Sequence, residues 1–326
     1  MKSKFLGLLL CGGIATVSWA QEEPFDTELL WELLETGEYE DAEEYLQEAP
    51  AGPIKLLAQA RLLHETGHGD DALEQLTAAK EYQEGHVEVV TQVGALRAER
   101  GDATKAEQDF ERALERNPEH LEALTRLGLL LITEGQREKG REYLQRIIRY
   151  YQKLTGPQAE ALSPQAYVWM GKACEGLNRH LEAYDIMYTQ ALELDEESPL
   201  AHLASGKIML EKYNYPDARS HFKDALKKNP EYAEAHIGLA AATFVVHRFP
   251  RNRFQSTTQS LAAADRIWKG HPEALLLQGQ LAFFAEDWQS AEDYYRRAIA
   301  QNPRDLQRRG YLAALLFTTG RDQDFQ

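Results

Sequence analysis

Apolar and small residues recur along this chain with two periods at once. Over short distances apolar side chains return every three to four positions, as at Val90, Val93 and Leu96, which predicts amphipathic α-helices. Over longer distances the chain aligns with itself at a shift of 34 residues. A period of this size is typical of stacked helical hairpins. The pattern therefore predicts an all-α protein built from a repeated unit of two helices.

Small residues mark where the two helices of a unit would touch. Three units share one order: a small residue in the first helix, then a small residue, an aromatic residue and another small residue in the second helix, then a proline. The residues are Gly94, Ala106, Phe110, Ala113 and Pro118; Gly206, Ala218, Phe222, Ala225 and Pro230; and Gly279, Ala291, Tyr295, Ala298 and Pro303. Antiparallel helices approach closely only where side chains are small, so we expect these positions to be the hairpin contacts.

This order of residues resembles the tetratricopeptide repeat (TPR) family. The resemblance covers nearly all of residues 21–326 and implies a TPR-type α-solenoid of antiparallel helical hairpins that forms a right-handed superhelix. In this fold the first helices of the units line a concave groove. We place the unit starts near residues 23, 53, 87, 121, 164, 199, 233, 272 and 303, which gives eight hairpins and an incomplete ninth.

Two insertions interrupt the period, near residues 150–163 and 244–257. Insertions in repeat proteins form loops or longer helices that often meet ligands. The second insertion contains a basic and aromatic cluster of Arg248, Arg251, Arg253 and Phe254. We treat this cluster as a possible secondary binding patch.

The resemblance also implies which positions of the first helices face the groove. These positions hold Thr125, Leu129, Ile132, Val168, Lys172, Leu203, Lys207, Leu210, Ile237, Phe244, Phe283, Phe284 and Tyr311. We predict that this mostly apolar strip binds a partner. Lys172 and Lys207 hold equivalent positions in consecutive units, about 10 Å apart, and suit an acidic side chain or carboxylate. Alternatively, each lysine pairs with Glu175 or Glu211 on its own helix.

The N-terminus has the features of a secretory signal. Lys2 and Lys4 precede an apolar run over residues 5–17, and Ala20 stands before a polar segment. The run is shorter than the roughly 20 residues of a bilayer span, which favours cleavage over retention as an anchor. We therefore predict a cleaved signal peptide over residues 1–20 and a periplasmic or secreted mature chain without membrane insertion.

The charge of the chain limits the classes of partner that it can bind, and its cysteine content excludes an internal disulfide. The formal charge is −16, and loss of two lysines with residues 1–20 makes it −18. Such a chain repels nucleic acid, so we expect protein partners. The mature chain keeps a single cysteine, Cys174, so it forms no internal disulfide. We interpret Cys174 as a buried packing residue.

The sequence contains few residues in patterns typical of catalytic or metal-binding sites. The run from His64 to His68 (HETGH) has the spacing of a zinc-peptidase helix. However, Gly67 stands where the first helix of its unit should end, so we predict a hairpin turn and no metal site. The sequence contains no Gly-rich phosphate loop, nucleophile elbow or paired-cysteine motif. We therefore expect no cofactor and no catalytic activity.

The sequence favours an exported scaffold that holds a partner peptide or helix in its groove and assists assembly of an envelope or secretion complex. The partner and the oligomeric state stay open. The alternative is the N-terminal repeat segment of a larger exported hydrolase, such as a peptidase. It is motivated by the incomplete ninth hairpin, which would leave Leu312, Leu315 and Phe317 without a polar cap.

Overall fold

The computed structural model describes residues 25–154, 162–246 and 254–321, and every regular element in these ranges is helical. The predicted signal peptide, residues 1–20, lies outside them. The helices are α1 (Thr27–Thr36), α2 (Tyr39–Glu48), α3 (Pro53–Glu65), α4 (Gly69–Ala78), α5 (Lys80–Gln83), α6 (Val87–Glu99), α7 (Ala103–Arg116), α8 (Leu121–Thr133), α9 (Arg137–Lys153), α10 (Pro164–Gly176), α11 (a continuous run of His180–Glu182, a π-helical segment Ala183–Tyr188, and Thr189–Leu194), α12 (Pro199–Glu211), α13 (Tyr215–Lys228), α14 (Ala233–Val246), α15 (Phe254–Ile267), α16 (Pro272–Phe284), α17 (Trp288–Gln301) and α18 (Leu306–Thr318).

The helices pair into a solenoid. Units 1 to 8 are the hairpins α1–α2, α3–α4, α6–α7, α8–α9, α10–α11, α12–α13, α14–α15 and α16–α17, and α18 is the first helix of unit 9. The single turn α5 joins units 2 and 3. The buried apolar residues form clusters shared between neighbouring units. The predicted all-α TPR-type solenoid is therefore confirmed. None of the described helices is both long and apolar enough to cross a bilayer.

The last unit begins three residues later than predicted. We expected a start near residue 303, but α18 begins at Leu306. Asp305 caps this helix, since its carboxylate accepts hydrogen bonds from the backbone N–H groups of Gln307 (2.9 Å) and Arg308 (3.1 Å). Pro303 belongs to the turn before the cap, where it closes unit 8.

The glycines of the first helices sit against aromatic rings of the second helices. A methyl group added at Gly94 would lie 2.7 Å from the Phe110 ring, and one at Gly206 would lie 2.6 Å from the Phe222 ring. Such distances leave no room for a side chain. The predicted hairpin contacts are thus confirmed, and they explain why the repeat alternates small and aromatic residues.

The spacing of the repeat also places alanines of the second helices where there is little space for a larger side chain. Ala113 and Ala225 are fully buried. We expect Ala113→Leu or Ala225→Leu to lower the free energy of unfolding by about 1 to 3 kcal/mol, because the added atoms overpack the hairpin. Denaturant unfolding measures this change. Glu115→Leu, at an exposed position of the same helix α7, serves as the control and should leave stability nearly unchanged. An equal loss in the control would contradict the packing explanation.

The two insertions lie at helix ends. The first lengthens α9, and Tyr151 near its end packs edge-on against Tyr167 of α10 at a ring distance of 6.3 Å. The second joins α14 to α15. Arg248, Arg251 and Arg253 of the predicted secondary patch lie outside the described residues. Its fourth member, Phe254, opens α15 and is 38% exposed.

Cys174 lies within α10 and is fully buried, which confirms its interpretation as a packing residue. Burial raises the pKa of its thiol to about 11. A thiol in this environment stays protonated at neutral pH, so Cys174 is a poor nucleophile.

The solenoid curls far enough for its ends to meet. The hairpin turns of units 1 to 3 lie against the connections that follow units 6 to 8. At each contact a glycine with positive φ faces the side chain of a residue from a late unit, and a methyl group added to that glycine would come within 2.2 to 2.5 Å of it. The pairs are Gly37 with Asn229, Gly67 with Trp268, and Gly101 with Asn302. We call these three pairs the inter-turn contacts.

A hydrogen bond and a ring contact reinforce the inter-turn contacts. The Tyr39 hydroxyl lies 3.4 Å from the backbone carbonyl of Glu231. The His64 ring meets the Trp268 ring edge-on at 5.1 Å between ring centres. The first helices of early and late units consequently face each other across the superhelix, and the concave surface is enclosed.

Candidate functional site

The predicted groove residues divide into buried and accessible groups. Thr125, Val168, Leu203, Ile237 and Phe244 are at most 9% exposed. They pack between neighbouring helices; the Thr125 hydroxyl, for example, donates a 3.2 Å hydrogen bond to the Trp169 carbonyl. The half-buried members that pack on the core are Leu129, Ile132 and Leu210. Apart from Phe244, these side chains therefore offer a partner little surface.

Four predicted residues do come together at the C-terminal end of the solenoid. They line an apolar pocket of about 330 Å³ built by α14, α16, α17 and α18. The lining residues are Phe244, Gln280, Phe283, Phe284, Tyr295, Tyr311 and Ala314. We call this the aromatic pocket. Its size suits one large apolar side chain.

Ring contacts fix the walls of the aromatic pocket. Phe284 meets Phe244 edge-on at 5.5 Å and Phe283 at 6.0 Å between ring centres. Tyr295 and Tyr311, which also line the pocket, stack at 5.7 Å between ring centres. Phe284 is 48% exposed, so the pocket opens to solvent beside it. Packed aromatic walls with an open rim are suited to an apolar anchor from a partner.

The two predicted lysines lie on the enclosed concave surface. The Lys172 ammonium sits 4.4 Å from the centre of the Trp169 ring, and the Arg126 guanidinium sits 4.9 Å from the same ring. Among the described residues, neither Lys172 nor Lys207 has a carboxylate oxygen within 4.0 Å. The alternative pairing with Glu175 and Glu211 is thus not formed; the Glu175 carboxylate instead accepts a hydrogen bond from the Tyr188 hydroxyl.

Glutamates also face this surface. The positive charge of Lys207 holds the pKa of Glu234 at about 2, and Glu234 in turn raises the pKa of Lys207. Glu273 of α16 and Glu99 of α6 act on Lys207 in the same direction. Partial burial, together with the charges of Arg126 and Lys207, lowers the pKa of Lys172 to about 8. Units from both turns of the superhelix thus form one interacting set of charges.

These glutamates were missed because the sequence prediction kept mainly apolar members of the groove-facing positions. Glu234 and Glu273 hold equivalent positions at the start of first helices, and Glu99 ends one. The alignment of the repeats includes these three glutamates. It does not show that early and late units lie close together, which is what brings the glutamates near Lys207.

The zinc-like run forms a hairpin turn, as predicted. Helix α3 ends at Glu65, and Gly67 adopts a φ of 85°. The His64 ring nitrogen Nε2 lies 2.9 Å from the Glu99 carboxylate, whereas His68 Nδ1 lies 3.2 Å from the Thr66 hydroxyl. The two histidines therefore bind different partners. Across the described ranges, no three His, Cys, Asp or Glu side chains are placed to hold a metal ion.

Comparison with known proteins identifies the family of the repeat. Two family models described as Tetratricopeptide repeat match, one over residues 97–173 and the other over residues 203–245 and 259–325. No curated protein sequence matches the chain.

A solved structure shares the fold. A chain in the crystal structure of the APC/C hetero-tetramer Cut9-Hcn1 superposes with a TM-score of 0.54 at 14% identity, over 89% of this chain and 54% of that one. This chain thus spans about half of that protein's length. Pseudomonas aeruginosa pilF aligns with a TM-score of 0.41 at 18% identity, over 72% of this chain and 100% of pilF. With helical hairpins along the described ranges and family models matching more than half of its residues, the chain belongs to the tetratricopeptide repeat family.

Proposed function

We propose that this chain is a protein-binding scaffold that anchors a partner segment in the aromatic pocket and along the adjoining concave surface. The observation that carries the proposal is the aromatic pocket, whose walls come from three consecutive units and whose rim is open at Phe284. Solenoids of this family offer extended surfaces to protein partners. Export through residues 1–20 and a role in assembling an envelope or secretion complex form part of this proposal; the charge and spacing of residues 1–20 support export.

An apolar side chain explains the pocket better than a polar ligand does. Gln280 is the one lining residue with a polar side-chain amide, and the other polar atoms are the two tyrosine hydroxyls. Burying a large apolar side chain contributes about 1.5 to 3 kcal/mol. Ordering a flexible segment offsets part of this gain. A single anchor therefore gives weak binding, and further contacts along the concave surface are needed for a stable complex.

Crosslinking and affinity capture test the proposal. The full chain is expressed in a Gram-negative host, and the periplasmic fraction is crosslinked and captured. We expect Phe283→Ser with Phe284→Ser to reduce recovery of one enriched partner at least tenfold, since about 1.4 kcal/mol corresponds to tenfold in affinity. Mass spectrometry of the captured chain should find Gln21 as its first residue.

The control removes an aromatic side chain elsewhere. Tyr213, in the turn between α12 and α13, is 78% exposed and lies outside the pocket. Tyr213→Ser should leave partner recovery unchanged. If the pocket variant stays helical by circular dichroism and keeps every partner, the pocket does not anchor the partner. Recovery of the chain only from the cytoplasm, with residues 1–20 attached, would remove the export part of the proposal.

A further inference from the structure

We propose that His202 and His221 form a pH-sensitive switch that holds unit 5 against unit 6 as long as at most one of the two rings is protonated. His202 lies on α12 and His221 on α13, the two helices of unit 6. Their Nδ1 atoms are 3.1 Å apart. We call the two residues the histidine pair. The inference depends neither on the aromatic pocket nor on the identity of a partner.

The histidine pair is connected to unit 5 on both sides. The Nε2 atom of His202 lies 2.9 Å from the backbone carbonyl of Glu196, in the connection between α11 and α12. The Nε2 atom of His221 lies 3.2 Å from the hydroxyl of Tyr184, which belongs to the π-helical segment of α11. All four ring nitrogens therefore have a partner, and the contacts run from unit 5 through both helices of unit 6 and back.

These contacts fix the position of every proton in the neutral pair. A carbonyl oxygen only accepts, so His202 Nε2 carries the hydrogen that it donates to Glu196. His202 Nδ1 is then an acceptor, and His221 Nδ1 must donate to it. His221 Nε2 is left to accept from the Tyr184 hydroxyl. The four groups thus form one directed chain of hydrogen bonds, from Tyr184 to Glu196.

The facing nitrogens are arranged for a hydrogen bond and not for a shared metal ion. The ring centres are 5.4 Å apart, which is the separation expected when both Nδ1 atoms lie on the line between the centres. A metal ion needs both lone pairs aimed at one point beside this line, about 2.0 Å from each nitrogen. An N–H···N hydrogen bond needs the collinear arrangement.

The chain of hydrogen bonds tolerates one extra proton but not two. A first proton binds at His221 Nε2, and the Tyr184 hydroxyl turns so that its oxygen accepts the new N–H. A second proton binds at His202 Nδ1, which places two N–H groups and two positive charges against each other across 3.1 Å. The rings then repel, and the chain that joins α13 to unit 5 is broken.

Titratable groups from two helices surround the histidine pair. On α13 these are Asp217 and Asp224, and Asp224 is ion-paired with Lys227 at 2.6 Å. On α11 they are Asp185 and the Tyr184 phenol. Because the four ring nitrogens are all used within the chain of hydrogen bonds, these carboxylates act on the pair through space.

The fold as a whole favours the neutral state of His221. Burial and the neighbouring His202 lower the pKa of His221, whereas the carboxylates of α13 raise it by less. As pH falls below the ordinary value of 6.5, the unfolded chain therefore takes up a proton before the folded pair does, and the folded state loses stability. The joint between units 5 and 6 is thus held at neutral pH and released in acid.

Release of this joint affects the inter-turn contacts. Those contacts join units 1 to 3 with units 6 to 8, so the joint between units 5 and 6 lies within the arc that they close. Each repeat of a solenoid contacts only its neighbours, and a changed angle at one joint moves all the units beyond it. Acid should therefore separate the two turns of the superhelix.

NMR titration of the histidine rings tests the pairing in the folded protein. The full chain is labelled with ¹³C at histidine Cε1 and titrated from about pH 7.5 to about pH 4.5, a range around the ordinary histidine pKa. His202→Asn and His221→Asn assign the two signals by their absence. We expect the second proton to bind to the pair more than tenfold more weakly than the first.

The single variants supply the comparison. In His221→Asn the amide still donates to His202 Nδ1 but takes up no proton. His202 should then titrate in one step, at a higher pH than the second step of the native pair. If each ring titrates in one step that the loss of the other ring leaves unchanged, the switch is overturned.

Small-angle X-ray scattering tests the separation of the turns. The radius of gyration of the native chain should rise between about pH 7.5 and about pH 4.5, and the rise should be absent or clearly smaller in His221→Asn. Circular dichroism at neutral pH establishes that each variant is folded. Equal expansion of the native chain and His221→Asn, or no expansion of either, overturns the proposal.

His236→Asn is the matched control. His236 holds the place of His202 in the next unit, and its Nε2 atom lies 2.8 Å from the backbone carbonyl of Pro230 in the same way. Within the described residues its Nδ1 atom has no hydrogen-bond partner. This variant removes a histidine without removing a pair, so it should expand in acid as the native chain does. Loss of the expansion in His236→Asn as well would overturn the assignment to the histidine pair.

Discussion

Gly67→Ala should separate the two turns of the superhelix, whereas Gly135→Ala should leave them together. Both glycines occupy hairpin turns with nearly the same φ, 85° and 86°. A side chain in this left-handed region costs about 1 to 2 kcal/mol at either site. A methyl group at Gly67 would also lie 2.5 Å from the Trp268 ring, whereas nothing lies within 4 Å at Gly135. The two variants therefore differ mainly in the inter-turn contact.

Denaturant unfolding and small-angle X-ray scattering measure the difference. We expect Gly67→Ala to lose about 1 to 3 kcal/mol more than Gly135→Ala, the range of overpacking effects. Its radius of gyration should increase, because separating the turns relieves the clash without unfolding any hairpin. Equal stability losses and equal radii in the two variants would mean that the inter-turn contacts do not persist in solution.

Glu234→Gln should destabilise the protein at neutral pH, and the loss should fade in acid. The nearby Lys207 charge holds the pKa of Glu234 at about 2, below its usual value of 4.5. A carboxyl with a lowered pKa in the folded state stabilises that state above pH 4.5, and the contribution disappears as pH falls through about 2. The shift corresponds to about 3 kcal/mol at neutral pH.

Unfolding free energies of the native chain and the variant, measured from pH 7 down to pH 2.5, check this expectation. The difference between them should be largest above pH 4.5 and should shrink below it. Glu40→Gln, on the exposed surface of α2, is the matched control and should show little difference from the native chain. A Glu234→Gln effect that is constant across the pH range would assign the loss to packing instead of charge.

Most of the hairpins follow from the sequence because each hairpin is held by short-range contacts. Gly206 and Phe222 are within one unit, and their pairing repeats at equivalent positions elsewhere. The unit start predicted near residue 303 falls three residues before the first residue of α18. The helix begins only after the Asp305 cap, a local feature that the 34-residue period alone does not locate.

The candidate site was only partly predictable. Phe283, Phe284 and Tyr311 line the aromatic pocket, as their groove-facing positions suggested, although their role in binding stays a prediction. Val168 and Leu203 hold equivalent groove-facing positions but are buried between helices. Whether such a side chain faces a partner or a neighbouring unit depends on the packing angle between units, and hydrophobicity does not encode that angle at a single position.

The helical hairpins, their small-residue contacts and the positions of Lys172 and Lys207 along the solenoid could be predicted from the amino-acid sequence, because they depend on neighbours within one or two units. The folded superhelix is needed to show that Gly67 contacts Trp268 and that the charge of Lys207 acts on Glu234 inside an enclosed surface. Small rotations between successive hairpins add up along the chain, and their sum determines which distant units come into contact.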